Sequence, residues 1–278
     1  MIPPAFTYRR AGSAEEALSL VAEYGDEAKF LAGGHSLLPL MKLRLAQPEV
    51  LVDIARIRDL SYIRAESDHI AIGALTRYHD LQHSDLLAAE LPLLAYASGF
   101  VGDPQVRHRG TIGGSIAHGD AASDLPAVVL ALDGVLIVSG PSGVREIPSP
   151  EFFLGPFETL LEPDELLTEI RLPRPASPAW SFQKLTNRAI DYAIVGVAVQ
   201  GGSIGLVNMG STPLRATAAE RALTDGASIE DAAAQAAEGT SPFADNNASP
   251  AYRSHLARVL VRRALEEAGV RVRASRGA

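Results

Sequence analysis

The sequence predicts an α+β protein with a two-lobed N-terminal region and an α+β C-terminal domain built from a small antiparallel sheet and helices. Three observations carry this. Helical and strand-like segments alternate as far as Leu172. A proline-dense stretch, Pro173-Arg174-Pro175-Ala176-Ser177-Pro178, then denies the chain ladder hydrogen bonds and reads as a linker. Beyond it lies a region of about a hundred residues, near the common domain size, in which strand-like segments come first and helices after.

Ser13-Ala14-Glu15-Glu16 reads as a capping box, with Ala14, Ala17, Leu18 and Val21 at helical spacing and Gly25 as the stop. A short buried strand follows at Ala28 to Ala32. Next come Gly33-Gly34-His35-Ser36 and an apolar segment, Leu37 to Leu45, in which Pro39 suits a helix's first turn. Val50 to Ile54 completes a small α/β lobe. The second lobe starts near Arg56. Ile70 to Gly73 is strand-like, Thr76 is placed to cap a helix running toward Leu87, and Pro92 to Phe100 reads as helical. Gly110 to Ser115 follows a polar loop. Asp124 is placed to cap the apolar helix Leu125 to Leu132, and Val135 to Val138 and Val144 to Ile147 flank Pro141-Ser142-Gly143 as a hairpin. Glu169 to Leu172 is the lobe's last strand. In the C-terminal domain the expected strands are Trp180 to Leu185, Ala193 to Gln200 and Ser203 to Val207. The expected helices include Ile229 to Ala237, behind Ser228, and Tyr252 to Ala268.

Composition narrows the function. A 47% hydrophobic, 21% charged chain of 278 residues is globular, and a formal charge of −8 argues against nonspecific attraction to nucleic acid or anionic lipid. Only Arg271 to Arg276 is locally basic. No stretch is apolar enough to cross a membrane, and the N-terminus lacks signal-peptide character, so a cytoplasmic protein without membrane insertion is expected. With no cysteine, the chain cannot hold an iron–sulfur cluster through thiolates.

Two segments carry chemistry: Leu31-Ala32-Gly33-Gly34-His35-Ser36-Leu37 and Gly110-Thr111-Ile112-Gly113-Gly114-Ser115. Each pairs adjacent glycines with a hydroxyl, after an apolar strand or at the edge of one. Glycine lets successive backbone N–H groups point inward and an anion approach closely. A helix start beyond adds positive dipole character, and Ser36, Thr111 and Ser115 can donate further bonds. One such segment reads as a tight turn; two on separate lobes suggest a pyrophosphate gripped from both sides. Neither matches the Walker or Rossmann pattern. His79 and His83, four apart on an expected helix, read as a solvated face because no third metal ligand is evident nearby. Arg107-His108-Arg109 either balances phosphate charge or is a surface cluster.

The paired segments closely resemble the FAD-binding medium subunits of molybdenum hydroxylases, the carbon monoxide dehydrogenase and xanthine dehydrogenase family. Gly33 to Arg44, Asp103-Pro104-Gln105 and Asp191-Tyr192-Ala193 point to the carbon monoxide dehydrogenase type. The resemblance implies a vanillyl-alcohol-oxidase/PCMH-type fold: FAD-binding lobes over 1–55 and 56–175, then a C-terminal domain over 176–278. It implies that Ala32 to Leu37 and Gly110 to Ser115 wrap the FAD pyrophosphate and that Asp124 contacts the adenosine part. It also implies that Leu161 and Lys184 lie near the cofactor, Tyr192 lies near the isoalloxazine ring, and His35 donates toward FAD. From the residues alone, Asp124 is equally a helix cap, Lys184 a solvated strand lysine, Leu161 core and Tyr192 an edge aromatic. Ser115 and His118 depart from the usual family residues, and the step across Gly201-Gly202 is shorter than in relatives.

By this resemblance the chain is a relay, with no residue acting as acid or base on the primary substrate. A molybdenum-cofactor large subunit oxidises the substrate, a 2Fe–2S small subunit passes electrons on, and FAD delivers them to an external acceptor. Two alternatives stay open: a self-sufficient FAD reductase using a nicotinamide, and a non-catalytic phosphate-ligand binding module.

Overall fold

The structure, a computed structural model, describes residues 2–270; the basic run Arg271 to Arg276 lies outside them. A first sheet is parallel, with strands β1 (Thr7–Arg10), β2 (Ala28–Leu31) and β3 (Val50–Asp53) in the order β1-β3-β2. Helix α1 (Ala14–Tyr24) starts where Ser13 Oγ accepts the Glu16 N–H at 3.2 Å, and the Glu16 carboxylate takes the Gly12 N–H at 2.7 Å. It ends at Gly25, at φ +55°. Ala17 and Val21 pack against Val50, Val52 and Ile54. The central strand β3 is a continuous apolar run, as expected for a parallel strand buried on both faces. Strand β1 has no such signal, because all four of its residues are exposed. Helix α2 (Leu37–Lys42) follows the first glycine segment.

The second sheet is antiparallel and five-stranded. It contains β4 (Ile63–Ala65), β5 (His69–Gly73), β6 (Val135–Gly140) and β7 (Gly143–Pro148), with β10 (Leu166–Pro173) inserted between β5 and β6. Pro141 and Ser142 form the β6–β7 turn, and Gly143 sits at φ +105°. Helices α3 (Tyr78–Gln82), α4 (Asp85–Glu90), α5 (Pro92–Ser98), α6 (Pro104–Arg107), α7 (Ile112–His118) and α8 (Asp124–Ala131) separate β5 from β6. A turn, α9 (Ser149–Phe152), and a two-stranded hairpin, β8 (Phe153–Gly155) with β9 (Glu158–Thr159), lead into β10. Side chains such as Ile70, Ile72, Leu94, Val128, Leu136 and Ile170 form the core, each contributing roughly 1.5–3 kcal/mol on burial.

The helix expected from Thr76 to Leu87 is two helices. Thr76 does not cap; its buried hydroxyl donates to Tyr62 O at 2.9 Å and accepts the Tyr62 N–H at 3.1 Å, stitching the chain to β4. Ser84 then breaks the run by capping α4 through the Leu87 N–H.

Past the linker, β11 (Trp180–Leu185), β12 (Val195–Gln200), β13 (Ser203–Val207) and β14 (Leu214–Arg215) form an antiparallel sheet in sequence order. Gly201 and Gly202 make the tight β12–β13 turn. Helices α10 (Thr217–Thr224), α11 (Ile229–Ala234) and α12 (Pro250–Ala268) follow. Ser228 caps α11 through the Asp231 N–H, and Ala257, Leu260, Val261 and Ala264 of α12 pack on Val195, Val197 and Val199. Helix α8 is buried along its whole length because it lies between this sheet and the second core. Strand β13 approaches α8 so closely that a Cβ on Gly205 would lie 2.1 Å from Ala127 O. No helix among the described residues is long and apolar enough to cross a membrane.

Candidate functional site

The two glycine segments meet. The first turns out of β2, with Gly34 at φ +80°, and the second enters α7 behind the cap Thr111, whose Oγ1 accepts the Gly114 N–H at 3.2 Å. A Cβ on Gly33 would lie 2.3 Å from Arg109 O and 2.9 Å from Gly110 Cα. A Cβ on Gly110 would lie 2.4 Å from the Tyr78 ring, and one on Gly113 2.6 Å from Ala74 O. Three glycines are thus imposed by close packing. Together the segments wall a cavity of about 680 Å³, within the range of small-molecule sites.

The segments do different work. Among the described residues, no protein acceptor faces the N–H groups of Gly33, Gly34, His35 and Ser36, which leaves a run of donors of the kind that holds anions. The second segment was expected to offer its amides too, but among the described residues only the Thr111 N–H stays without a protein acceptor. Ile112 donates to Thr76 O, Gly113 to Ala74 O, Gly114 to Thr111 Oγ1 and Ser115 to Thr111 O. Gly113 and Gly114 lie in the first turn of α7, which follows the short helix α6 rather than a strand. The second segment therefore serves as a close-packed wall carrying hydroxyls. Burial and the nearby Arg109 charge lower the His35 pKa, with Asp103 opposing.

Of the other expected residues, Leu161 lines the cavity. Ile112 is fully buried in the second core instead. Asp124 and Lys184 form a buried pair at 2.6 Å, and Lys184 also donates to Phe100 O at 3.0 Å. Lys184 is therefore not a solvated strand lysine. Asp124 does not cap α8; it is that helix's first residue, behind Ser123. Burial pushes its pKa up to about 6 against the opposing pull of Lys184, and its Oδ1 has no protein partner. Tyr192 stands 63% exposed on the β11–β12 loop; partial burial of its phenol, then the charges of Asp120 and Asp124, raise its pKa. Neither the Asp124–Lys184 pair nor Tyr192 lines the cavity directly. The link is Tyr78, a lining residue whose pKa burial raises to about 12, with Ser115 opposing and the Tyr192 and Asp124 charges adding to it.

Sequence reasoning missed Tyr78, and also Phe157, which sits at φ +58° with its ring 5.0 Å from that of His118. Both line the cavity, but neither has a spacing that announces it. Arg107 is spent on Val101 O and Gly102 O. The His79 ring lies 4.3 Å from His83 and 4.0 Å from His108, a third histidine that spacing did not place. Even so, no group of side chains among the described residues is arranged to hold a metal.

These features fit a dinucleotide: unclaimed amides and hydroxyls for a diphosphate, beside an apolar and aromatic cavity. Comparison with known proteins agrees. Residues 4–175 match the family described as FAD binding domain in molybdopterin dehydrogenase, and residues 180–268 match the CO dehydrogenase flavoprotein C-terminal domain. The chain is 42% identical to the carbon monoxide dehydrogenase medium chain of Hydrogenophaga pseudoflava, covering 98% of this chain and 99% of that one. It is 40% identical to the 6-hydroxypseudooxynicotine dehydrogenase complex subunit alpha of Paenarthrobacter nicotinovorans, covering 98% and 97%. A solved carbon monoxide dehydrogenase from Hydrogenophaga pseudoflava, lacking the Mo-pyranopterin moiety of its molybdenum cofactor, superposes with a TM-score of 0.92 at 44% identity, covering 97% of this chain and 99% of that one.

Proposed function

The chain belongs to the FAD-binding medium-subunit family of carbon monoxide dehydrogenase-type molybdenum hydroxylases, and from that premise we propose that it relays electrons from an iron–sulfur subunit through FAD to an external acceptor. The observation that carries the reading is the row of unclaimed amides at Gly33 to Ser36, in a segment that lines one cavity together with the hydroxyl-bearing Thr111 and Ser115.

In this reading the amides of residues 33–36 and the hydroxyls of Ser36, Thr111 and Ser115 hold the diphosphate. The His35 ring donates a hydrogen bond toward the cofactor. Asp124 is fixed by Lys184 through one oxygen and offers the other to a cofactor hydroxyl. Leu161 and Phe157 exclude water from the cavity, and Tyr192 borders the isoalloxazine ring. When bound, FAD supplies the reversible acceptance of electrons; the chain supplies binding, orientation and electrostatics. No side chain here is given a proton-transfer role toward the primary substrate. The partners are a molybdenum-cofactor large subunit and a 2Fe–2S small subunit, in a cytoplasmic complex.

Native mass spectrometry on the tagged chain, purified gently from its host, tests the proposal. A complex carrying FAD, a molybdenum subunit and an iron–sulfur subunit is the expected result. A lone or self-paired chain retaining FAD would instead favour a self-sufficient reductase.

A further inference from the structure

Asn208 is out of character for the end of a strand. It lies just past β13 at φ +64°, in the left-handed region that glycine enters freely, and is only 5% exposed. A glycine would serve the turn alone. The asparagine instead spans two loops: its side-chain amide donates to Ala193 O at 2.7 Å, and its backbone N–H donates to Ala121 O at 2.7 Å. Its other amide atom, Oδ1, has no partner, so a buried polar group is kept half satisfied for the sake of these contacts.

Both contacts lie in sequence beside Tyr192 or beside a carboxylate that acts on its phenol, none of which lines the cavity itself. Ala193 directly follows Tyr192. Ala121 belongs to the turn between α7 and α8, where Asp120 Oδ1 accepts the Ala122 N–H at 2.9 Å. Asp120 and Asp124 are the carboxylates whose charge acts on the Tyr192 phenol. The next carbonyl, Ile194 O, is held by the fully buried Arg253 of α12, itself paired with Asp245 at 2.6 Å. Two consecutive carbonyls behind Tyr192 are therefore gripped by buried side chains from different elements. Asn208 alone also reaches the α7–α8 turn.

We propose that Asn208 is a positioning residue, which ties the Tyr192 loop to the α7–α8 turn and so sets Tyr192 against the cofactor end of the cavity. The inference rests on the placement of Tyr192 beside the flavin, and its test separates the two.

Asn208→Gly keeps the left-handed backbone and the bond to Ala121 while deleting the side-chain tie. Tyr192→Ala removes the positioned ring. Ile204→Val, in the core of the same β13, serves as a stability control. Hydrogen exchange over residues 186–194 and visible circular dichroism of the bound flavin are read in the purified holoprotein. Asn208→Gly should speed exchange over 186–194 and shift the flavin spectrum. The double variant with Tyr192→Ala should shift it no further than Tyr192→Ala alone, and Ile204→Val should change neither readout. If Tyr192→Ala shifts the spectrum and Asn208→Gly only lowers the melting temperature, the positioning role is overturned and the site reading stands. If Tyr192→Ala leaves the spectrum unchanged, the placement of Tyr192 fails, and the inference fails with it.

Discussion

Gly33→Ala isolates the contact between the two glycine segments. Gly33 is not at positive φ, so the added methyl strains no backbone angle; its cost is steric. The new Cβ would lie 2.3 Å from Arg109 O, whereas ordinary contact begins near 3.4 Å, so the segments must part by about 1 Å. Overpacking of this kind costs about 1–3 kcal/mol. If the free protein stays closed, the cost appears as lost stability. If it relaxes open, the cost is charged to closing around FAD, and affinity falls roughly 5- to 150-fold. Denaturant unfolding and flavin-fluorescence titration of the stripped protein, as purified from its host, together capture both shares. Gly202→Ala, with nothing within 4 Å of the added methyl, is the neutral control. A Gly33→Ala protein within twofold of the parent in affinity and within about 0.5 kcal/mol in stability, the scatter of ordinary surface changes, would refute the close-contact argument.

Lys184→Met leaves Asp124 buried without its cation and should cost about 3–5 kcal/mol in urea unfolding. Pairing it with Asp124→Leu should recover much of that loss. The raised Asp124 pKa favours the protonated carboxyl in the fold, so its stabilising contribution is present below the ordinary aspartate value of about 3.9 and is lost as pH rises through about 6. Asp124→Asn should therefore flatten the stability profile across that window, as read by unfolding at a series of pH values. Ser13→Ala removes the α1 cap and should cost about 1 kcal/mol, seen as a lower urea midpoint with unchanged FAD affinity.

Where local chemistry decided the structure, the sequence was legible. Ser13 and Ser228 marked helix starts, Gly201-Gly202 marked a hairpin, and the apolar run from Val50 marked a strand. Strand β1 was invisible because its pairing with β3 rests on backbone bonds, while its exposed side chains carry no pattern. The insertion of β10 between β5 and β6 is a choice of long-range partner that no local period encodes. At the site, glycine pairs announced close approach but not which amides stay free. That depended on Ala74 and Thr76, whose carbonyls claim the Gly113 and Ile112 donors. Asp124 and Lys184 stand far apart in sequence, and their pairing emerges only when the C-terminal sheet is laid on α8.

The account's central claim is that FAD lies between these two segments, so the direct measurement is a high-resolution map of the complex purified from its host. The account predicts diphosphate density against the amides of residues 33–36 and the hydroxyls of Thr111 and Ser115, with the flavin reaching toward Tyr192. Flavin density elsewhere on the chain, or on another subunit with this cavity closed, would contradict it.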